Sequence, residues 1–326
     1  MGVAECGHAY TMKLDDLHAW CLIGMKGTET WLKNLGSVMD LKPVHGGGCL
    51  RLNSGCKTPL VYSSSQFPSH CPGKRLHFVL GSTATCSNQN TYGTPPLSVR
   101  PSLSPNGWNL YNLYFLRMWS HPYVPDTICE LLEPENQEME IVMMRQAVFP
   151  IYHQSVMLGG LPFHCALVEH DGVGVLLAGN SGAGKSTCCR RLPSSWNVLC
   201  DDEALILGHS SEFYTAHPFP TWNDVFMRPE STWNVQQGVS LSAVFFLEHG
   251  QTDEVVPMGR AEAAIRGNHL AGHIFFRDWE SPDSQSRRAA TTKLFDNVLD
   301  LIRAVPAFIL RVSANGQFWS EMERVL

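Results

Sequence analysis

The stretch GNSGAGKSTCCRRLPSSWNVLCDD, residues 179–202, decides how the rest of the chain is interpreted. Its first eight residues match the phosphate-binding pattern G-x-x-x-x-G-K-[ST] at every fixed position. The apolar run at 174–178 predicts a buried strand before this loop, and residues 186–192 predict a short helix that ends at Pro193. A strand, a glycine loop and a helix in this order form a concave site in which backbone N–H groups surround an anion.

The loop predicts a nucleotide-binding site with Mg²⁺. Lys185 is expected to reach the β- and γ-phosphates, and the Ser186 hydroxyl is expected to ligate Mg²⁺. The residues predicted to bind the nucleotide are Gly179, Asn180, Ser181, Gly182, Ala183, Gly184, Lys185, Ser186 and Thr187.

Two adjacent carboxylates, Asp201 and Asp202, follow Lys185 by 16 and 17 positions. This length accommodates one short helix, a turn at 194–196 and a strand at 197–200, so both aspartates are expected at the carboxyl end of that strand. Ligands bind at that edge of a parallel α/β sheet. The short spacing and the lack of N-K-x-D and L-S-G-G-Q sequences argue against GTPases, ABC transporters and helicases.

The residue types around the loop suit phosphoryl transfer, which needs bound phosphates, Mg²⁺ and a base that aligns the nucleophile. We assign Asp201, with Ser186, to the metal. Asp202 is the predicted base for the acceptor hydroxyl, and Lys185 grips the phosphates. The opposite division between the aspartates also fits, as does a turn-capping role for one of them. His164, before the loop, either polarises a phosphate and assists the aspartates or is a buried core histidine.

Other polar residues are candidates for the same site, and the sequence does not choose among them. The transition state of phosphoryl transfer favours a charge-stabilising arginine, for which the candidates are Arg260, Arg266 and Arg277. His217 and Trp222 belong to an aromatic, loop-rich segment that either contacts substrate or packs in a turn.

Residues 160–207 resemble the HPr kinase/phosphatase branch of P-loop proteins, whose fold is shared with ATP-dependent phosphoenolpyruvate carboxykinase. In that branch a G-x-S-G-x-G-K-[ST] loop is followed closely by an Asp-Asp pair, and a histidine precedes the loop, as His164 does here. Residues 147–250 are more similar to the HPr-kinase-like proteins of the SynChlorMet cassette C type, which occur beside radical SAM enzymes in peptide-modification gene clusters. The segments that suggest this similarity are TCCRRL at 187–192, DDE at 201–203, AHPFPTW at 216–222 and AVFFLE at 243–248.

The resemblance implies an α/β fold, with an HPr kinase C-terminal-like (PEP carboxykinase-related) P-loop domain over residues 136–326. It also implies an ATP-dependent kinase that phosphorylates a Ser or Thr hydroxyl of a ribosomal precursor peptide or small protein. One alternative is an ATP-binding partner of a peptide-modifying, radical SAM-type enzyme, without phosphoryl transfer. Another is a small-molecule kinase or carboxykinase-like enzyme. An oligomer is compatible with the sequence.

Residues 1–135 predict a smaller, loop-rich α+β region with a role in substrate recognition, in which 82–107 form a loop-rich insert. Hydrophobic patterning predicts a strand pair at 10–25, a helix at 29–41, strands at 75–80 and 108–119, a helix at 138–158 divided by Pro150, and a hairpin at 163–178. Further strands are predicted at 204–207, 243–247 and 308–312, and an amphipathic helix at 291–304.

Composition limits the partners and the compartment. The net charge of −6, without a run of Lys and Arg, argues against nucleic-acid binding. Eleven cysteines without a C-x-x-C pair argue for reduced thiols, and the spacing of Cys49, Cys56, Cys71 and Cys86 does not support a zinc site. The chain shows no signal-peptide pattern and no apolar run near the ~18 residues of a membrane span, so we expect a cytoplasmic protein.

Overall fold

The computed structural model describes residues 9–24, 27–44, 74–80, 108–121, 124–210, 213–228, 230–279 and 284–326. The predicted insert at 82–107 and the four cysteines considered for zinc lie outside these ranges. No helix within the described ranges is long and apolar enough to cross a membrane.

Contacts divide the chain into two compact units. The first comprises Met1–Pro150, Val225–Thr232 and Asp278–Ser284, and the second comprises Ile151–Asp224, Trp233–Arg277 and Gln285–Leu326. The sequence predicts one division after residue 135, whereas these two units are interleaved along the chain, and residues 136–150 group with the first unit. The substrate-recognition role of residues 1–135 stays a prediction.

The first unit contains a mixed sheet whose described strands have the order β3-β1-β2-β4-β7-β6-β5. These strands are β1 (Ala9–Lys13), β2 (Ala19–Gly24), β3 (Lys42–Pro43), β4 (Lys74–Leu80), β5 (Asn109–Leu113), β6 (Leu116–His121) and β7 (Val124–Leu131). β4 runs parallel to both β2 and β7, and the other neighbouring pairs are antiparallel. The helices α1 (Glu29–Val38) and α2 (Gln137–Ala147) belong to this unit.

Helix α1 forms where the sequence predicts it, because its apolar residues recur every three or four positions and one face can be buried. The buried residues on and beside this face are Trp31, Leu32, Leu35, Val38 and Met39. The predicted strand pair at 10–25 is also confirmed as the antiparallel pair β1 and β2.

The prediction of one strand at 108–119 is wrong, because this segment forms the antiparallel hairpin of β5 and β6. The two strands are joined at Tyr114 and Phe115. Turns are usually signalled by Gly, Pro, Asn, Asp or Ser, and two aromatic residues give no such signal. The apolar alternation therefore continues across the turn without a visible break.

The second unit contains a larger mixed sheet. Its strands are β8 (Leu161–His170), β9 (Val173–Ala178), β10 (Trp196–Cys200), β11 (Glu203–Gly208), β12 (Tyr214–Phe219), β13 (Val239–His249), β14 (Glu254–Pro257) and β15 (Ala307–Val312). The other helices in the described ranges are α3 (Phe149–Met157), α4 (Lys185–Arg191), α5 (Trp222–Met227), α6 (Arg260–Phe275), α7 (Ser284–Ala304) and α8 (Phe318–Glu323). The predicted division of the 138–158 helix is confirmed, since α2 ends and α3 begins on either side of Val148.

Strand β9 lies between β8, to which it is antiparallel, and β13, to which it is parallel. β13 is also parallel to β15. β10 and β11 follow one another along β8, both antiparallel to it, with Cys200 opposite Leu167 and Glu203 opposite His164. Asp201 and Asp202 thus connect two consecutive strands beside the middle of β8.

The aspartate pair follows the carboxyl end of β10, as predicted, but the expectation of a parallel sheet at this point is wrong. β8 and β9 are joined by the short turn at Asp171 and Gly172, and a connection of this length can only join antiparallel strands. β8 therefore runs opposite to both β9 and β10. The carboxyl ends of β9 and β10 nevertheless lie together, opposite Cys165 and Leu167 of β8.

The core beneath this region is apolar and holds β9 and α4 in place. Its buried members come from five strands and two helices and include Ala166, Leu177, Cys188, Phe245, Leu310 and Phe318. Burial of such side chains contributes about 1.5–3 kcal/mol each for the larger apolar ones, so the loop between β9 and α4 has fixed ends.

Candidate functional site

The loop at residues 179–184 has a backbone that requires glycine at three positions. Gly182 and Gly184 have φ angles of +83° and +98°, in the left-handed region that other residues rarely adopt. At Gly179, a Cβ would lie 2.6 Å from the Cβ of Ala183, which is too close for two carbon atoms. Positive φ angles thus explain the glycines at 182 and 184, and a close approach explains the glycine at 179.

Lys185 is the first residue of α4 and closes the loop from inside. Its ammonium group donates to the carbonyl oxygens of Gly179 at 2.8 Å and Asn180 at 3.3 Å. Burial lowers the pKa of Lys185, while the negative charges of Asp202 and Asp201 act in the opposite direction. Both carboxylates therefore act electrostatically on the loop lysine. Ser186 and Thr187 continue the first turn of the same helix.

His164 of β8 connects the loop lysine with the aspartate pair. Its Nε2 lies 2.9 Å from Nζ of Lys185, and its Nδ1 lies 3.0 Å from the main-chain oxygen of Asp202. Burial, together with the charges of Lys185 and His273, lowers the pKa of His164 to about 4. The imidazole is thus neutral near pH 7. Its Nδ1–H donates to the carbonyl, and its Nε2 accepts from the lysine.

The two aspartates have different surroundings. The Oδ1 atom of Asp202 lies 3.3 Å from Nδ1 of His164, and burial raises the pKa of its carboxyl against the charges of Arg277 and Lys185. The Oδ1 atom of Asp201 accepts a 2.6 Å hydrogen bond from the hydroxyl of Thr221. One carboxylate therefore lies beside the imidazole and the lysine, and the other is oriented by a hydroxyl.

Glu203, directly after the pair, is completely buried and carries a network of its own. Its Oε1 accepts from the guanidinium of Arg277 at 2.6 Å, and its Oε2 accepts from the hydroxyl of Tyr152 at 2.9 Å. Burial, with the charge of Glu203, raises the pKa of Tyr152. A buried carboxylate needs such partners, since an unpaired charge in the interior is costly.

Of the three candidate arginines, the structure brings Arg277 to the acidic cluster. Its charge lowers the pKa of Asp202 against the larger effect of burial, and it donates to Glu203. Arg266 instead pairs with Glu248 and Glu262 on another part of the second unit. Arg260 is the first residue of α6.

His217 and Trp222, the other sequence candidates, lie in the interior. His217 is 2 % exposed, and its Nδ1 lies 3.0 Å from the carbonyl oxygen of Val235. Trp222 is 5 % exposed at the start of α5. Both positions favour packing over substrate contact. Thr221, which lies between them in the sequence, donates a hydrogen bond to Asp201.

Four residues of the cluster escape sequence reasoning: Tyr152, Glu203, Thr221 and His273. His273 of α6 has its ring centre 5.0 Å from that of His164. Only Glu203 carried a local signal, because it follows the aspartate pair directly. Tyr152, Thr221 and His273 come from other segments of the chain, and their closeness to the aspartates depends on how the sheet and α6 pack.

The donors present fit a nucleotide with Mg²⁺. Mg²⁺ is bound in such sites by one or two protein oxygens and by phosphate oxygens. Ser186 lies in the first turn of α4, and Thr221 holds Oδ1 of Asp201 by a hydrogen bond, so the hydroxyl of Ser186 and Oδ2 of Asp201 are the oxygens considered for a metal. The positive-φ glycines leave the loop amides free of overlying side chains.

The fold and the site define a mixed α/β protein with two sheets and a glycine-rich phosphate-loop motif next to an acidic cluster. The family described as SynChlorMet cassette protein ScmC matches residues 127–326, more than half of the chain. The chain therefore belongs to the ScmC family. No curated protein matches the chain.

Proposed function

We propose that the protein is an ATP-dependent phosphotransferase that phosphorylates a Ser or Thr hydroxyl of a ribosomal precursor peptide or small protein. The observation that carries the proposal is the contact of Lys185 with His164, which itself contacts Asp202. A phosphate-loop lysine, a neutral imidazole and a carboxylate thus form one cluster. A site that only bound a nucleotide would have no use for a base beside the lysine.

Loop residues 179–187 would hold the phosphates, with Lys185 as the positive charge at the β- and γ-phosphates. Ser186 and Asp201 would hold Mg²⁺, which would neutralise phosphate charge when bound. Thr221 keeps the Asp201 carboxylate in one orientation. These assignments follow the sequence prediction and are supported by the different surroundings of the two aspartates.

Asp202 is the proposed base. The acceptor hydroxyl gives its proton to this carboxylate as its oxygen bonds to the γ-phosphorus, and the bond to the bridging oxygen of ADP breaks. Burial raises the pKa of Asp202, which brings its basicity closer to the working pH. His164 donates to the main chain of Asp202 and so positions the base.

Arg277 is the proposed charge-stabilising arginine. Its guanidinium donates a 2.6 Å hydrogen bond to Oε1 of Glu203, which holds it in place. The charge of Arg277 also acts to lower the pKa of Asp202. A guanidinium in such a position can offset the negative charge that spreads over the transferred phosphoryl group. The buried Glu203 would then act through Arg277, without touching the substrate.

The peptide acceptor and the HPr-kinase-like P-loop fold rest on resemblance to the SynChlorMet cassette C type and on membership of the ScmC family. A protein of such a cassette would act in the cytoplasm on a peptide encoded nearby. Residues 1–135 are the proposed recognition region for that peptide.

The decisive experiment incubates the protein with Mg-ATP and the precursor peptide encoded beside it. We expect a mass gain of about 80 Da on the peptide. Asp202→Asn should abolish this gain and keep nucleotide binding, whereas Asp300→Asn, a 60 % exposed aspartate of α7, should behave as wild type. Nucleotide binding without product for every neighbouring peptide would instead identify an ATP-binding partner protein.

A further inference from the structure

On the side of the loop at residues 179–184 that faces away from β8, strand β13 ends in an exposed histidine. β9 leads into this loop and has β8 on one side and β13 on the other. His164 and the aspartate pair lie on the β8 side. On the opposite side, Phe246 is the last residue of β13 that pairs with β9. β13 continues for three more residues and ends at His249.

His249 lies at the level of the loop itself. A Cβ placed on Gly184 would be 3.9 Å from Cε1 of His249, and one placed on Gly179 would be 3.7 Å from the Cβ of Leu247. The end of β13 thus runs alongside the first and last glycines of the loop. His249 is exposed, while Leu247 belongs to the core.

The charged residues around His249 are already paired with each other. Arg266 donates to Glu248 at 2.8 Å, and Arg311 donates to Glu254 at 2.7 Å. These guanidinium groups are neutralised by carboxylates, so this flank does not form a second phosphate site. It offers an exposed aromatic ring next to arginines that are already paired, which suits a flat, uncharged group.

We propose that His249 binds the nucleobase of the nucleotide by stacking against it. The proposal rests on the proposed function, which places the terminal phosphate on the β8 side, beside Lys185 and Asp202. A triphosphate is a linear chain, so a nucleotide that crosses the loop from that side carries its nucleoside toward β13. There the imidazole of His249 is the exposed ring beside Gly184.

Strand β15 and the residues that follow it hold the end of β13 in place. Val312 pairs with His249 in the parallel ladder, and the main-chain oxygens of Ser313 and Gly316 accept from Arg191 of α4 at 2.8 and 2.6 Å. The end of β13 is therefore attached to a strand and a helix that are both fixed. A ring at this position is presented by a rigid element.

The test compares ADP with inorganic tripolyphosphate, both with Mg²⁺, by titration calorimetry on the full chain. Stacking of an aromatic ring on a base predicts that His249→Ala weakens ADP binding by roughly 5- to 20-fold. Tripolyphosphate, which has no base, should keep its affinity within about twofold. His249→Phe should restore ADP binding, because it keeps a ring.

The matched control is His209→Ala, an exposed histidine of the same unit that bonds to Thr215 away from the loop. It should leave both affinities unchanged. Unchanged ADP binding in His249→Ala, or equal losses for ADP and tripolyphosphate, would overturn the nucleobase contact while the proposed function stands. Wild-type protein that binds neither ligand would overturn the proposed function and this inference together.

Discussion

The ammonium of Lys185 lies 2.9 Å from Nε2 of His164, so the loop lysine and the β8 histidine share one hydrogen bond. This bond requires a neutral imidazole, because a protonated ring would have no lone pair for the lysine and would repel it. The contact joins the phosphate loop to β8, and the aspartate pair lies beside β8 in the connection between β10 and β11. The protonation state of His164 therefore bears on both stability and chemistry.

The first prediction is that acid destabilises the fold through His164. Its pKa is lowered from 6.5 to about 4, so the unfolded chain takes up a proton in this range that the folded chain does not. The free energy of unfolding should therefore fall as pH decreases from about 6.5 to about 4, by about 2–3 kcal/mol from this residue. Urea unfolding across this range, with wild type and His164→Gln, measures it.

His164→Gln should show a flatter dependence on pH, because glutamine can still accept from Lys185 but does not titrate. His209→Gln, at an exposed position, should keep the wild-type slope. Equal slopes in wild type and His164→Gln would show that the acid sensitivity lies elsewhere.

The second prediction separates backbone strain from ligand binding at the loop. Gly182 and Gly159 both have positive φ angles, +83° and +99°, and a Cβ at either position would meet nothing within 4 Å. Alanine should thus cost about 1–2 kcal/mol of stability at each. Only Gly182→Ala should also weaken ADP binding, by about tenfold or more, since it displaces the loop amides. Calorimetry and thermal unfolding report the two effects, and equal ADP affinities would contradict the loop assignment.

The third prediction concerns the hydroxyl that orients Asp201. Thr221→Val removes the donor of a 2.6 Å bond, which frees the carboxylate to rotate. The Mg²⁺ concentration needed for half-maximal activity should rise by about tenfold, as for other residues that orient a metal ligand. Thr215→Val is the control, because Thr215 lies on β12 and bonds to His209 instead. A shift of the same size in both variants would argue against Asp201 as the metal ligand.

The fourth prediction tests the pair of Arg277 and Glu203. Arg277→Ala leaves a buried carboxylate without its cation and should cost about 3–5 kcal/mol. Tyr152→Phe removes a single hydrogen bond to the same carboxylate and should cost about 1–2 kcal/mol. Arg303→Ala, at an exposed pair on α7, should cost at most about 1 kcal/mol. Denaturant unfolding gives these values.

Activity then distinguishes a catalytic Arg277 from a structural one. Arg277→Lys keeps a cation near Glu203 but loses the planar fork, so we expect a fold close to wild type in stability and a kcat lower by about 10²-fold or more. The KM for ATP should change little in comparison. A folded Arg277→Lys variant with wild-type kcat would restrict Arg277 to a structural role.

Much of the local structure followed from the sequence. The helices at 29–41 and 291–304 were predicted from apolar periodicity, and the hairpin at 163–178 from two apolar runs around a turn signal. These patterns depend on neighbours in the chain. Where a local signal was lacking, prediction failed, as at the turn of Tyr114 and Phe115. The parallel edge expected at the aspartates also failed, because strand direction depends on the order of strands in the sheet.

The HPr-kinase-like fold, ATP, Mg²⁺ and a hydroxyl acceptor stay predictions that the experiments above address. Membership of the ScmC family, by contrast, is shown by the match to residues 127–326. The resemblance to the SynChlorMet cassette C type was carried by short segments such as DDE at 201–203, so this part of the identification was available from sequence.

The sequence by itself determined the composition of the loop and the 16-residue step from Lys185 to Asp201, because glycine placement and chain length are local properties. Only the tertiary structure decided which surroundings each acidic residue has. Arg277 reaches Glu203 across 74 residues of chain, and Thr221 reaches Asp201 across 20. Burial and charge pairing depend on such distant approaches, and they set the pKa and orientation of a carboxylate. The difference between Asp201 and Asp202, adjacent and identical in sequence, is therefore a property of the fold.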